Sequence, residues 1–497
     1  MAIPALPGTP AAGSVRPFRH DRRHQQTLRS SPESANQREA WQHRSASSPR
    51  LVSESESMES MLDLNPGLSP SVGKRSITMQ RIDTVVVGAG LAGLNCAREL
   101  SRQGHKVLIC EAAATLGGRI RTEQHEGFLL DFGFEVLQTA YPEARRSLDY
   151  TALDLRPFRP GALIRYGGKF HRISDPWRDP LAVFSMLFSP IGRLSDKWRM
   201  ALLRRLVLSK SIEELYERPE TTAIERLREF GFSPVMIERF FRPFLGGVFF
   251  DPELSVSSRA FEFIFQAFSA GDTAVPANGM AAIPRQIAAA LPAETIRTNT
   301  PVSAVDPAGV SLASGERIDA GNVVVATDSV SAARLLGLSV VPATRGTTCV
   351  YFAAPAPPID EPMLVLNATG KGRINNVVVP SLLSAAYAPG GQSLIAVNVL
   401  GIAAQDDARL EADLRRELGE WFGNQVTTWR HLKTLRIPEA LPLQVPPVRH
   451  PRHHDPHRQD GILVCGEFGN PTSIQWALYT GRRAAEAILT AKRLPFA

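Results

Sequence analysis

An apolar strand that runs into three spaced glycines constrains this chain more than any other feature. Val85-Val86-Val87-Gly88-Ala89-Gly90-Leu91-Ala92-Gly93 leaves a strand, turns tightly and opens a helix, and a second strand, Val107-Leu108-Ile109-Cys110, ends on Glu111. Gly88 allows the turn, Gly90 lets the backbone approach a pyrophosphate, and Gly93 lets helix and strand pack closely. Phosphates settle on unpaired N–H groups at a helix N-terminus. Glu111 lies eighteen residues beyond Gly93, where a carboxylate accepts hydrogen bonds from ribose hydroxyls. A plain strand–helix turn leaves the three glycines and the acid without a purpose, so the segment reads as a dinucleotide cradle. Gly117-Gly118-Arg119 follows it.

The chain has 497 residues, 43 % of them hydrophobic, which is ample for several domains and a large core. Its net charge of +7 includes +3 from residues 1–80, and the small remainder does not suggest a nucleic-acid binder. Cys96, Cys110, Cys349 and Cys465 are far apart, form no metal-ligand pairs and read as reduced core residues. No metal site is expected. His450, His453, His454 and His457, with Asp455, have Pro and Arg neighbours and read as an exposed connecting loop. No run of eighteen apolar residues is present, so no transmembrane helix is expected.

Residues 1–78 are rich in Ser, Pro, Arg and Gln and lack hydrophobic periodicity. Three readings fit them: an extension upstream of a start at Met79, an Arg-rich organelle transit peptide, or a functional tail. No apolar signal core is present, so a cytoplasmic or an organelle stroma or matrix location is expected, with secretion excluded.

Residues 142–275 read mostly as helices with Pro breaks. Gly279 to Leu291 reads as a helix, and Asn322 to Thr327 as a buried strand. Residues 345–400 alternate like strands, and Ala408 to Phe422 forms a charged amphipathic helix. The chain closes with strand Ile462-Leu463-Val464-Cys465, then Gly466-Glu467, a polar loop and a helix from Ile474 to Leu489. This closing helix offers a second N-terminus to an electron-rich ligand. A nicotinamide enzyme has no obvious need of it, whereas a long FAD is held along its length by distant pieces of chain.

At these residues the chain resembles the flavin amine oxidase superfamily, which includes monoamine and polyamine oxidases, protoporphyrinogen oxidase and phytoene desaturase-like enzymes. The resemblance is carried by Val85 to Arg121, by Arg242 to Pro252, by Gly279-Met280 with Val302 and Ala326-Thr327, and by Gly466 to Gly481. It implies an α/β fold, with a Rossmann-type FAD-binding domain and an interleaved substrate domain containing a mixed sheet and helices. The FAD domain would comprise residues 79–145, 276–335 and 455–497, and the substrate domain 146–275 and 336–454. It implies that Gly88, Gly90, Gly93 and Gly118 hold the pyrophosphate and Glu111 the adenosine ribose. Arg119 would reach the phosphates or the flavin side, and Val302 the adenine side through its backbone. Gly466 and Glu467 would serve the ribityl chain or pyrophosphate, and the N–H groups of Ile474 and Gln475 would approach the flavin ring. Two departures stand out. Trp476 replaces the Gly of the desaturase-like Ser-x-x-Gly-Ala pattern, and it either stacks beside the flavin or points into the core. The loop from Glu467 to Trp476 has no Cys to tether flavin, so FAD is expected to be non-covalent.

The implied reaction is hydride transfer to FAD from an apolar substrate, isoprenoid, carotenoid or porphyrinogen-like. An amine oxidase producing hydrogen peroxide and a non-catalytic flavin-binding module are the alternatives. No catalytic residue and no electron acceptor are assigned, because the cofactor carries the chemistry. Residues 181–208 combine Leu181, Val183, Phe184, Met186, Leu187, Phe188 and Ile191 with Arg193, Lys197, Trp198, Arg199, Arg204 and Arg205, a pattern that either suits a membrane surface or packs into the core. Phe240, Phe241, Phe244, Phe249, Phe250, Phe261, Phe263, Phe265 and Phe268 either line a tunnel for an apolar substrate or fill the core.

Overall fold

The computed structural model describes residues 82–174, 178, 189–450, 452, 455, 456, 458 and 460–491. The expectations for residues 1–78, for 181–188 and for His453, His454 and His457 lie outside the described residues.

The valine-rich first strand, Ile82–Val87, pairs in parallel with Val107–Cys110 on one side and with Arg317–Val325 on the other. Val107–Cys110 and the Val323-Val324-Val325 end of the other neighbour are buried apolar runs, as strands covered on both faces require. The sheet has seven strands and runs from Ile296–Arg297 through Val107–Cys110, Ile82–Val87 and Arg317–Val325 to the antiparallel pair Gly309–Leu312 and Val302–Asp306. Leu463–Val464 joins in parallel on Arg317–Val325, which brings the end of the chain to the sheet's centre.

The first helix, Leu91–Ser101, is buried almost all round because the closing helix, Ile474–Ala491, covers the face turned away from the sheet. At Gly481 a Cβ would stand 2.2 Å from the Ala92 carbonyl oxygen, and at Gly93 one would stand 2.0 Å from that of Gly88. Backbones at this separation tolerate no side chain. Buried polar groups bridge the two helices: Asn95 Nδ2 donates to the Leu478 carbonyl at 2.6 Å, and Arg98 donates to Asn95 Oδ1 at 2.6 Å and to the Ser147 carbonyl at 2.5 Å.

A second seven-stranded sheet runs Arg430–Pro442, Thr344–Ala354, Ser393–Leu400, Ile374–Val378, Leu364–Asn367, Ala162–Tyr166 and Lys169–Ile173. It is mixed, since Leu364–Asn367 and Ala162–Tyr166 pair in parallel and the rest are antiparallel. Strand alternation splits its two faces. Val350 and Phe352 pack under the amphipathic helix Asp407–Phe422 with Leu410, Leu414 and Leu418, whereas Cys349, Tyr351 and Ala353 face the main core.

One reading of the sequence needs correction. Residues 142–275 are not mostly helical at their start: Leu155–Pro157, Ala162–Tyr166 and Lys169–Ile173 are strands. The last two form a hairpin turned at Gly167-Gly168, both at positive φ, a two-glycine turn that suits the twist of paired strands.

Two glycines inside helices separate close backbone approach from simple flexibility. Gly481→Ala is expected to lower unfolding free energy by about 1–3 kcal/mol, because the new methyl meets fixed backbone. Gly419→Ala, with no atom within 4 Å of its Cβ position, is expected to raise it by up to about 1 kcal/mol. Chemical denaturation of the two variants checks both signs.

Candidate active site

Gly90 precedes the first helix in an extended conformation, and no side chain caps the helix there. Its first-turn N–H groups therefore lack intrahelical partners. A Cβ at Gly90 would meet nothing within 4 Å, and one at Gly118 would meet only the Gly90 Cα, at 3.5 Å. The Gly117 N–H donates to the Ala89 carbonyl at 2.9 Å, fixing the second glycine pair beside the first. The result is an open cradle of bare backbone at a helix N-terminus, which fits a pyrophosphate. Gly88 sits at φ +105° and provides the turn beneath it.

Glu111 braces this turn. Its Oε2 accepts from the Ala89 N–H at 2.7 Å and its Oε1 from the Ala113 N–H at 2.8 Å. A carboxylate has about four acceptor positions, so capacity remains for ribose hydroxyls. The Glu111 carbonyl accepts from the Thr300 N–H at 2.8 Å, two residues before Val302. Val302 is itself buried in the core beneath the sheet.

Arg119 and Glu467 form an ion pair across 348 residues of chain. Arg119 also donates to the Ala440 carbonyl at 2.9 Å, and Glu467 Oε1 accepts from the Ser329 N–H at 2.8 Å. Gly466 donates its N–H to Thr480 Oγ1 at 2.9 Å, which ties the loop to the closing helix. Ser473 Oγ accepts from the Trp476 N–H at 3.2 Å, and the N–H groups of Ile474 and Gln475 are the remaining first-turn donors. The Gln475 side chain turns away, its Oε1 accepting from the Glu143 N–H at 2.8 Å.

Next to this helix end lies a cavity of about 540 Å³. Ile474 and Ser473 border it on one side and Ile120, which follows Arg119, on another. Six of the nine phenylalanines singled out in the sequence line it: Phe240, Phe244, Phe249, Phe250, Phe265 and Phe268. Phe241, Phe261 and Phe263 are core residues instead. Trp476 also belongs to the core, with ring centroids of Phe263, Tyr216 and His450 5.2, 5.7 and 5.9 Å away. His450 is thus buried, a correction to the exposed loop expected there, because its ring fills the space beside Trp476 and Tyr216.

Sequence reasoning passed over Glu135, the acid on the cavity wall, and Asp131 behind it. Asp131 ends an otherwise apolar strand, Phe128–Asp131, and a lone acid in such a run was the available signal. Burial raises the pKa of both carboxyls, well above the usual range for Glu135.

The glycine cradle, the acid at the second strand and the distant helix end together define a dinucleotide-binding fold arranged for a long flavin nucleotide. A family-wide sequence model described as flavin containing amine oxidoreductase matches residues 91–489. The chain belongs to that family, which places it among the FAD-dependent oxidoreductases. Among curated proteins it is 54 % identical over 52 residues to AofH of Mycobacterium tuberculosis, assigned by name as a flavin-containing monoamine oxidase. That match spans 10 % of this chain and only 12 % of the relative's length. Among solved structures, cyclohexylamine oxidase from Brevibacterium oxydans superposes with a TM-score of 0.61 at 18 % identity, over 83 % of this chain and 100 % of that one. A protein of Exiguobacterium sp. 255-15, assigned by name as a protoporphyrinogen oxidase, gives 0.61 at 17 % identity, over 82 % and 99 %. These similarities establish the shared fold.

The cradle yields a paired prediction. Gly90→Ala adds a methyl to open space and is expected to fold normally yet bind FAD at least about tenfold more weakly, a loss of about 1.4 kcal/mol. Gly93→Ala is expected to lower thermal stability even without FAD. Circular dichroism melts and FAD titration of the two apoproteins separate these outcomes.

Proposed function

We propose that this chain oxidises an apolar substrate by hydride transfer to non-covalently bound FAD. The observation that carries the reading is the phenylalanine-lined cavity that abuts the N-terminus of the closing helix. FAD supplies the hydride acceptor. Gly88, Gly90, Gly93 and Gly118 would cradle its pyrophosphate and Glu111 its ribose. Val302 would lie on the adenine side, Arg119, Gly466 and Glu467 along the middle, and Ile474 and Gln475 at the ring through backbone N–H groups. The cavity's apolar walls exclude water from the reacting bond and hold the substrate by burial.

Non-covalent attachment is supported by the cysteines. All four are buried and free. Burial pushes the Cys465 thiol up to about 12, which keeps it protonated and poorly nucleophilic.

The helix Leu194–Leu208 connects the cavity to the surface. Lys197, Met200 and Arg204 line the cavity, while Leu194, Trp198 and Leu202 stand exposed on the opposite side at intervals of four residues. Trp198 is 67 % exposed. We read this outer stripe, with Arg193 and Arg205 beside it, as a peripheral contact with an anionic membrane surface from which substrate enters. No helix among the described residues is long and apolar enough to cross a membrane. Trp198→Ser is expected to reduce co-sedimentation with phosphatidylserine-containing vesicles several-fold and to leave FAD content unchanged. Undiminished sedimentation contradicts the contact.

Anaerobic spectroscopy tests the reaction. The FAD-loaded protein is mixed with isoprenoid, porphyrinogen and sterol-like compounds and, separately, with polyamines and aromatic amines. Bleaching of the flavin band by an apolar, non-amine compound is expected. Bleaching by amines alone, with hydrogen peroxide formed on admitting air, would establish an amine oxidase instead.

A further inference from the structure

Glu135 on the cavity wall and Asp131 behind it share a small adjoining cavity, and the structure treats the two carboxyl groups unequally. Asp131 Oδ1 accepts from Thr122 Oγ1 at 2.5 Å and from the Met280 N–H at 2.9 Å, and its Oδ2 accepts from the Tyr387 hydroxyl at 2.8 Å. Its backbone carbonyl takes the Tyr351 hydroxyl at 2.8 Å. Glu135 Oε2 is sealed from solvent and has no hydrogen-bond partner among the described residues. Glu135 lines the large cavity and also a small one of about 20 Å³, shared with Asp131, Tyr351 and Tyr387. The small cavity has room for about one water molecule.

Neighbouring carboxyls in a buried site do not readily both ionise, and the one with hydrogen-bond donors keeps the charge. Asp131 holds three donors, so the charge belongs there. The other groups facing Glu135 are Arg119 and Arg121 from the Gly-Gly-Arg segment and Tyr351 and Tyr387 from the second sheet and its loop. Arg119 is paired with Glu467, and the Arg121 guanidinium lies 3.5 Å from the centroid of the Phe132 ring. Neither arginine forms an ion pair with Glu135. Burial is the main force raising the pKa of the Glu135 carboxyl, Asp131 adds to it, and the two arginines oppose it.

We propose that Glu135 is a neutral carboxylic acid on the cavity wall, donating a hydrogen bond to an oxygen acceptor on an otherwise apolar substrate. The inference rests on the reading of the cavity as the substrate site and narrows its substrate class. A carbonyl, hydroxyl or ether oxygen finds its donor at Glu135, whereas an ammonium group requires a carboxylate and finds an acid that is not ionised. The hydrogen bond forms without proton transfer. Asp131 and Tyr387 are positioning residues that keep the negative charge one step behind the wall.

The test uses the full-length FAD-loaded protein with two probes of equal carbon count, methyl nonyl ketone and undecylamine. Infrared spectroscopy at neutral pH is expected to show a protonated-carboxyl band that Glu135→Gln removes. Calorimetry is expected to show the ketone binding more tightly than the amine. Glu135→Leu should weaken the ketone about five- to tenfold, the worth of one lost hydrogen bond, while Glu135→Gln, still a donor, retains most of the affinity. Loss of no carboxyl band in Glu135→Gln overturns the proposal. So does a wild-type preference for undecylamine that Glu135→Gln abolishes. Should Glu135→Leu fail to fold, the infrared result on Glu135→Gln still decides. Failure of apolar compounds to bleach the flavin would overturn the proposed reaction but leave the carboxyl band and the ketone affinity standing.

Discussion

The contact on which the rest of the structure depends is backbone against backbone. The first helix lies so close to the strand below it and to the closing helix above it that Gly93 and Gly481 have no space for a methyl group. This double contact brings the closing strand and helix, Leu463–Val464 and Ile474–Ala491, onto the first β-α-β unit. Without it, Glu467 would not meet Arg119 and Ile474 would not border the cavity. The buried Asn95 and Arg98 reinforce the contact by hydrogen-bonding to backbone carbonyls and to each other. Burying polar groups costs stability unless they are paired, so this arrangement selects one docking of the two helices over slipped alternatives.

The site divides its work between backbone and side chains. On the proposed reading, recognition of a phosphate-bearing ligand would fall to glycine backbone and helix ends, with Glu111 bracing the turn. At the junction with the cavity, Arg119 and Glu467 satisfy each other. Beyond that point the wall is largely aromatic and aliphatic, with Glu135, a few neutral polar side chains and cations such as Arg178, which already donates to Asp272 and to the Gly271 carbonyl. The gradient from polar cradle to apolar cavity is what a nucleotide with a flat redox-active ring at one end requires.

Much of this was legible in the sequence because it rests on local rules. The glycine spacing, the acid after the second strand and the strand–loop–helix at the end each carry their meaning within a few tens of residues. The phenylalanine cluster was legible only as a choice between tunnel and core, and the structure divides it between both. Helical periodicity could not show which side of each helix meets a cavity and which meets another helix. Trp476 was similarly undecided until Tyr216, Phe263 and His450 were found around it. The hairpin at Gly167-Gly168 was missed because Pro and charged residues obscured its short alternation. Glu135 was invisible because its environment is assembled from Asp131, Tyr351 and Tyr387, up to some 250 residues apart in sequence.

The most direct test of the central claim is a crystal structure of the full-length protein loaded with FAD. The account predicts the pyrophosphate between Gly90 and Gly118, the ribose at Glu111 and the flavin ring beside Ile474, facing the phenylalanine-lined cavity, with no bond to any cysteine. A flavin ring directed away from that cavity, or a cradle left empty with the nucleotide bound elsewhere, would contradict it.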